Sequence, residues 1–246
     1  MFLHDKAGRT YQLTLKEGAK LSLHSGTVNH DDLIGKPDGS LVASHSGTRL
    51  LALRPTFAER VTGRRRQAQP IYPKDIAAIL MYADVYPGAT VLEAGSGTGA
   101  LTAALIRAVG EGGRVVLYEV REDFLELARS AVTDALEGFP TNLEMKLGDV
   151  YEGVAETDVD RALLDLPEPW QAIPHFAAAL RPGGAIFAHC PNVTQVARFC
   201  ECLRERGGFG MIETKTVLHR GGTTRGGSTR TDHRLGATTV CFTLDR

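Results

Sequence analysis

Up to residue 55, apolar and polar residues alternate with a period of two. The pattern is clearest in "TYQLTL" (10–15), "AKLSL" (19–23), "SLVAS" (40–44) and "TRLLALRP" (48–55). Each segment has the repeat of a half-buried strand. Between them lie "KEG", "HSG" and "KPDGS", whose Gly, Pro and Asp residues favour turns. A small β-rich module over residues 1–62 is the expected outcome.

From about residue 72 the period changes. "DIAAILMYADV" (75–85) is a helical pattern, "ATVLEAG" (89–95) a buried strand, and "ALTAALIRAVG" (100–110) a helix stopped by Gly110. "GRVVLYEV" (113–120), "LEMKLGDV" (143–150), "VDRALLDL" (159–166) and "AIFAHCP" (185–191) are further strands. They alternate with helices at "REDFLELARSAVTDAL" (121–136), "AIPHFAAALRPGG" (172–184, closed by glycine) and "VTQVARFCECLRERG" (193–207). Strands alternating with helices fold as a doubly wound, mostly parallel sheet. Residues 63–246 are therefore expected to form one α/β domain, with "RGGTTRGGSTRT" (220–231) as a long loop.

Composition alters this picture little. At 43% hydrophobic and 23% charged, the chain can form an ordinary globular core. No apolar run approaches the roughly 20 residues of a membrane span, and the first residues lack a signal-peptide core, so a cytoplasmic protein is expected. The four cysteines, at 190, 200, 202 and 241, lack zinc spacing and read as free thiols, with a disulfide as the lesser alternative and no metal site. The net charge of −1 is not that of a nucleic-acid binder as a whole. Basic residues are nevertheless clustered. Arg64, Arg65 and Arg66 form one knot, and Lys215 to Arg234 holds five Lys/Arg and one acid. Either can meet phosphates locally or be plain solvated surface.

The chemistry-bearing residues fall at strand ends. "TVLEA" runs into "GSGTGAL" (95–101), and glycines between a strand and a helix let backbone approach a ligand. Two cofactors fit. The stretch satisfies the dinucleotide pattern loosely, with Ala100 last. The G-x-G-x-G spacing behind Glu93 looks more like the S-adenosylmethionine loop of class I methyltransferases. Glu119, ending the next strand, suits the ribose of either. Asp149 in "GDV" suits an adenine amino group, with Val150 beside it, or a plain turn. Asp165 ends the fourth strand, in "LLDLPEPW" (163–170), where Pro167 and Pro169 cannot extend a central strand. It faces the ligand end of the sheet or caps the following helix.

These motifs together resemble the tRNA (adenine-N1)-methyltransferase family, which acts on adenosine 58 of the T-loop. "HSGTVNHDDLIGKPDGS" (24–40), "LALRPTFAERV" (51–61), "QPIYPKD" (69–75), "VLEAGSGTGALT", "YEVRED", "LDLPEPW" and "PNVTQV" follow in the family's order. The resemblance implies a Rossmann-like fold, methyl transfer from S-adenosylmethionine to tRNA, and a homotetramer. It implies cofactor contacts from Gln69, Glu93, Gly95, Ser96, Gly97, Thr98, Gly99, Ala100, Leu101, Glu119, Val120, Asp149, Val150 and Asp165. Asp165 and Tyr72 are the implied catalytic residues, with Asp165 accepting from the adenine amino group and Tyr72 against the target base. Arg64–Arg66, Trp170, Arg220, Arg225 and Arg230 are implied on the substrate side, although Trp170 and Tyr72 also suit simple packing.

The C-terminus departs from the family pattern. Arg220 is followed by Gly221 and Gly222, Arg230 by Thr231, and "GATT" (236–239) lacks a histidine. These changes leave open a methyltransferase with another RNA or small substrate. A non-catalytic tRNA-binding subunit is a further alternative, opposed by the intact glycine loop and strand-end acids. An NAD-dependent oxidoreductase would lack an evident hydride-transfer acid or base.

Overall fold

A computed structural model describes residues 1–62, 70–225, 227–231 and 236–245, with backbone alone at 223, 225 and 236–245. The chain divides into two compact units, residues 1–64 and 65–246.

In the first unit, β1 (Phe2–Asp5), β2 (Thr10–Gln12), β5 (Ser40–Ala43) and β6 (Arg49–Leu53) form an antiparallel sheet in the order β2-β1-β6-β5. A separate hairpin joins β3 (Lys20–Leu23) to β4 (Gly26–Asn29). Leu3, Leu13, Val28, Leu33, Val42, Leu50 and Ala52 form its core. Helix α1 (Phe57–Thr62) follows. It starts with a reciprocal cap, in which Glu59 N–H donates to Thr56 Oγ1 (3.3 Å) and Thr56 N–H to Glu59 Oε2 (2.8 Å).

The second unit is the doubly wound sheet that the alternation predicts. Its elements are α2 (Pro73–Tyr82), β7 (Thr90–Ala94), α3 (Ala100–Val109), β8 (Arg114–Glu119), α4 (Glu122–Leu136), β9 (Leu143–Leu147), β10 (Val159–Leu164), α5 (Pro169–Ala179), β11 (Leu180–Cys190) and α6 (Val193–Arg206). The parallel strands run in the order β11-β10-β7-β8-β9, so strand order reverses between β7 and β10. β12 (Glu213–His219) and β15 (Gly236–Asp245) extend the β11 edge antiparallel. Phe176 and Phe199 are fully buried in one layer between sheet and helices, and Phe187 of β11 is fully buried outside that cluster. No described helix is long and apolar enough to cross a membrane.

Two local expectations are corrected. The helix placed over 172–184 spans Pro169–Ala179, and β11 begins at once with Leu180. Pro182 pushes the residue before it away from the helical region. Gly184 then seats the strand: a Cβ there would lie 3.1 Å from the Val159 carbonyl oxygen. The second correction is at 220–231, where β13 (Gly222–Arg225) and β14 (Ser228–Thr231) pair as a hairpin rather than a loop. The Gly-Gly between them is a hairpin-turn signal, and Gly227 takes φ +80°.

Candidate active site

The reversal between β7 and β10 opens a crevice at the carboxyl ends of the strands, where doubly wound sheets bind ligands. The glycine loop lies there. Gly95 has φ +90°, and its N–H donates to the Tyr118 carbonyl at 3.0 Å. A Cβ on Gly95 would stand 2.2 Å from the carbonyl oxygen of Asp165, so no other residue fits. The turn after β7 therefore runs directly against the turn after β10. Gly99, at φ +76°, precedes the first residue of α3, and a Cβ there would meet the backbone of Ala128 on α4 at 2.9 Å. Ala100 and Leu101 are buried in the first turn of α3. The orphan N–H groups of that turn lie behind the loop.

Three acids surround this loop. Glu119, at the end of β8, ties the loop in place: Oε2 accepts from Ser96 N–H (3.0 Å) and Ser96 Oγ (2.8 Å), and Oε1 from Arg121 N–H (3.0 Å). Asp149 Oδ1 accepts from Tyr151 N–H at 2.9 Å, an Asx turn. Asp165 follows β10; its N–H donates to the Ala94 carbonyl (2.9 Å), and Oδ1 lies 3.0 Å from His189 Nδ1.

Glu93 differs from all of these. It is 1% exposed, and neither oxygen has a hydrogen-bond partner among the described residues. Burial pushes its carboxyl up to about 8; the Thr102 hydroxyl offsets part of the rise and the Asp165 charge adds to it. The Thr102 hydroxyl is itself unpartnered by hydrogen-bond geometry. The raised Glu93 pKa favours the protonated acid at this buried position on β7. The Thr98 hydroxyl is likewise buried without a partner.

A cleft of about 230 Å³ opens beside the loop. Gly95, Glu119, Val120, Asp149 and Val150 line it, as the sequence anticipates for a shared site. Tyr118, Tyr151 and the Leu166–Glu168 turn line it too; sequence reasoning missed the two tyrosines. Tyr118 is fixed from behind: its hydroxyl donates to Glu156 Oε2 (2.8 Å), and Glu156 pairs with Lys146. Burial would raise the Glu156 carboxyl, but hydrogen bonds from Lys146 and Tyr118 outweigh it and lower the pKa. Tyr151 is held similarly, its hydroxyl accepting from Glu168 N–H at 3.2 Å and its carbonyl meeting His175 Nε2 at 3.0 Å.

The remaining candidates are dispersed. Tyr72 precedes α2, where its carbonyl accepts from the N–H groups of Asp75 and Ile76. Trp170 packs against the core between sheet and helices, with the Arg198 guanidinium 4.4 Å from its ring centroid. It does not line the cleft. Arg220 and Arg230 are exposed beside and on the β13–β14 hairpin; Arg225 lies in β13 with its side chain undescribed. Arg64, Arg65, Arg66 and Gln69 lie outside the described residues. Among the described residues, no His, Cys, Asp and Glu cluster is of a size to hold a metal.

This arrangement is matched in known proteins. The family model of the tRNA methyltransferase complex GCD14 subunit matches residues 51–236, and the TrmI-like N-terminal model residues 2–42. The tRNA (adenine(58)-N(1))-methyltransferase TrmI of Thermus thermophilus is 40% identical over 197 residues, covering 80% of this chain and 76% of that protein. The tRNA (adenine(57)-N(1)/adenine(58)-N(1))-methyltransferase TrmI of Methanocaldococcus jannaschii is 32% identical, covering 89% and 84%. Two crystal structures superpose over nearly the whole chain. One, a Thermotoga maritima protein described as a SAM-dependent O-methyltransferase, has a TM-score of 0.93 at 32% identity, covering 99% of this chain and 91% of that one. The other, the tRNA (m1A58) methyltransferase TrmI of Aquifex aeolicus, has a TM-score of 0.85 at 26% identity, covering 100% and 95%. With its glycine loop and strand-end acids set in a Rossmann-like sheet, the chain belongs to the tRNA methyltransferase family of the GCD14 subunit.

Proposed function

We propose that the protein methylates N1 of adenosine 58 in the tRNA T-loop, with S-adenosylmethionine as donor. The observation that carries this reading is the contact between the glycine loop and Asp165: the backbone that would cradle the cofactor touches the residue that would meet the base. The glycine loop fits the cofactor because its closest backbone contact excludes any side chain. Glu93 before the loop and Thr98 within it fit the cofactor because they keep buried polar atoms without partners among the described residues. Gly95–Leu101, Glu93 and, from the sequence, Gln69 would hold the methionine portion; Glu119 and Val120 the ribose; Asp149 and Val150 the adenine. When bound, the cofactor would supply an electrophilic sulfonium methyl for adenine N1.

The protein's own work is orientation and electrostatics. Asp165 would accept a hydrogen bond from the adenine N6 amino group, raise electron density at N1 and stabilise the cation that methylation leaves on the ring. Tyr72 would hold the base against its face or edge. The T-loop adenosine must leave its stack to reach the site, which calls for phosphate contacts; Arg64–Arg66, Arg220, Arg225 and Arg230 are the candidates. Trp170 would support the substrate side from behind, through Arg198. In this reading residues 1–62 are an accessory module, residues 63–246 the catalytic domain, and the protein a cytoplasmic homotetramer without a metal.

One observation favours a second reading of the target base. Gly221, Gly222, Thr231 and the histidine-free "GATT" depart from the family on the substrate side, and the Methanocaldococcus relative is named for adenines 57 and 58. Methyl transfer from labelled S-adenosylmethionine to unmodified tRNA transcripts tests both. Label that disappears when adenosine 58 is replaced supports the first. Label that persists and moves with adenosine 57 supports the second, and cofactor binding without any tRNA labelling refutes both.

A further inference from the structure

Register sets His189 beside Asp165. Leu164 of β10 pairs with Ala188 of β11, so the next residue of each strand, Asp165 and His189, stand side by side at the ligand end of the sheet. His189 is the one polar residue within the apolar run "AIFAHC", and its side chain is 15% exposed. Its Nδ1 lies 3.0 Å from Asp165 Oδ1. A carboxylate only accepts hydrogen bonds, so His189 must carry the proton on Nδ1. Among the described residues this is the one hydrogen bond made by the Asp165 side chain. The other oxygen, Oδ2, points to the glycine loop, 3.9 Å from where a Gly97 Cβ would be. One oxygen is therefore held from the sheet and the other faces the cofactor loop.

We propose that His189 is a positioning residue for the methyl transfer: its Nδ1–H clamps Oδ1 of Asp165, so that Oδ2 alone is presented to the adenine amino group. The inference rests on the reading of Asp165 given above. Asp165 stands on a turn outside the strand, with its side chain 32% exposed. A carboxylate there turns freely about its last torsion, a broad two-fold well. A fixed donor on one oxygen removes that freedom before substrate arrives. It leaves the second oxygen with its full accepting capacity, as a preorganised group requires.

The test uses the full chain with three variants at this position and Asp165→Ala as reference. His189→Ala and His189→Phe both lose the donor, and Phe keeps most of the ring volume. His189→Asn places an amide N–H near the former Nδ1. We expect kcat to fall about 10–100-fold in the Ala and Phe variants, the scale on which a small misplacement of a catalytic group acts. KM for tRNA and Kd for S-adenosylmethionine should stay within about threefold, since the lost interaction serves the transition state. His189→Asn should recover most of kcat. Ala and Phe variants with near-wild-type kcat, beside an inactive Asp165→Ala, would overturn the clamp and leave the role of Asp165 standing. The clamp also falls if Asn fails to recover kcat while binding cofactor normally, or if Phe alone recovers it. An active Asp165→Ala would instead remove the reading on which the clamp rests. Should His189→Ala fail to fold, the Phe and Asn pair decides alone.

Discussion

Strand β10 has an aspartate near each end, and the two live in opposite surroundings. Asp160, its second residue, accepts from the Tyr86 hydroxyl, from Thr90 N–H at 2.8 Å and from Arg181 Nε. Its side chain is 14% exposed. Asp165, just past the strand, is 32% exposed and meets His189 alone among the described hydrogen bonds. Burial would raise the Asp160 carboxyl, but Tyr86, Thr90 and Arg181 outweigh it and hold the pKa below the ordinary carboxylate range. Asp160 is thus consumed in tying β10 to Tyr86 and to the first residues of β7 and β11. Asp165 keeps unused accepting capacity where a doubly wound sheet meets its ligands. The same residue type in one strand is structural at one end and available at the other, and the difference lies in how many of its lone pairs the fold has already used.

Removing each aspartate should separate the two roles. Asp165→Ala should bind S-adenosylmethionine within about tenfold of wild type yet lose at least about 10²-fold in turnover, the scale of a positioned acid–base group. That corresponds to about 2.7 kcal/mol of transition-state stabilisation. Calorimetry with cofactor beside single-turnover methylation measures it, and turnover near wild type would remove Asp165 from the chemistry. Asp160→Ala should act the other way. It removes three hydrogen bonds to a charged group, costing about 2–3 kcal/mol of stability. For a chain of this size that lowers Tm by roughly 5–10 °C, with kcat near wild type below the transition. A large loss of kcat in a well-folded Asp160→Ala would erase the contrast.

Sequence made the Asp165 end legible and the Asp160 end obscure. The glycine loop, Glu119, Asp149 and Asp165 each lie at the end of an apolar run, so local pattern alone places them on one edge of the sheet. Asp160, Tyr86 and Arg181 are far apart along the chain, and only strand register brings them together. His189 escaped notice for the same reason: a single histidine in an apolar strand has no local signal until Asp165 is seen in the neighbouring strand. Tyr118 and Tyr151 are held at the cleft by Lys146, Glu156 and the Glu168 backbone, contacts that no local pattern announces. β1 and β4 are no shorter than β2, β3 and β5, but FLHD carries no alternation of apolar and polar residues and GTVN has one large apolar residue, Val28. β12 and β15 flank the Gly-, Thr- and Arg-rich stretch 220–231 that reads as loop, and neither is anticipated as a strand. Arg64–Arg66 and Gln69 were singled out by the sequence and fall outside the described residues.

Glu93 sharpens the contrast through pH. It stands on β7 opposite Leu163 of β10, buried with unpartnered oxygens and a carboxyl raised to about 8. A raised pKa favours the folded state only while the group stays protonated. Its contribution is complete below the unfolded value near 4.5 and is lost as pH rises through the folded value near 8. Within that window the loss is at most about 1.4 kcal/mol per pH unit. Glu93→Gln keeps the neutral shape and cannot ionise, so its stability should stay flat from pH 5 to 8 while the wild type declines. Denaturant midpoints across that range compare them. Parallel curves would mean that Glu93 is ionised in the folded protein.

The smallest effect probes whether the Asp160 end is truly saturated. Tyr86→Phe removes one hydroxyl donor and leaves the ring, over which the Arg161 guanidinium sits 5.1 Å from the centroid. Asp160 would still accept from Thr90 and Arg181. A carboxylate with two remaining donors is not left bare, so the cost should be that of one net hydrogen bond, about 0.5–1.5 kcal/mol. Because the lost donor helps to depress the Asp160 pKa, the acid limb should move as well. A depressed pKa contributes stability present above the ordinary carboxylate value of 3.8 and lost as pH falls through the folded value. Tyr86→Phe should therefore lose less stability on acidification below about pH 4 than the wild type does, having less of that contribution to lose. Turnover at neutral pH should be unchanged. If Tyr86→Phe instead matched Asp160→Ala in stability, the three donors would act as one unit, and Asp160 would depend on its network as a whole rather than on the number of bonds it accepts.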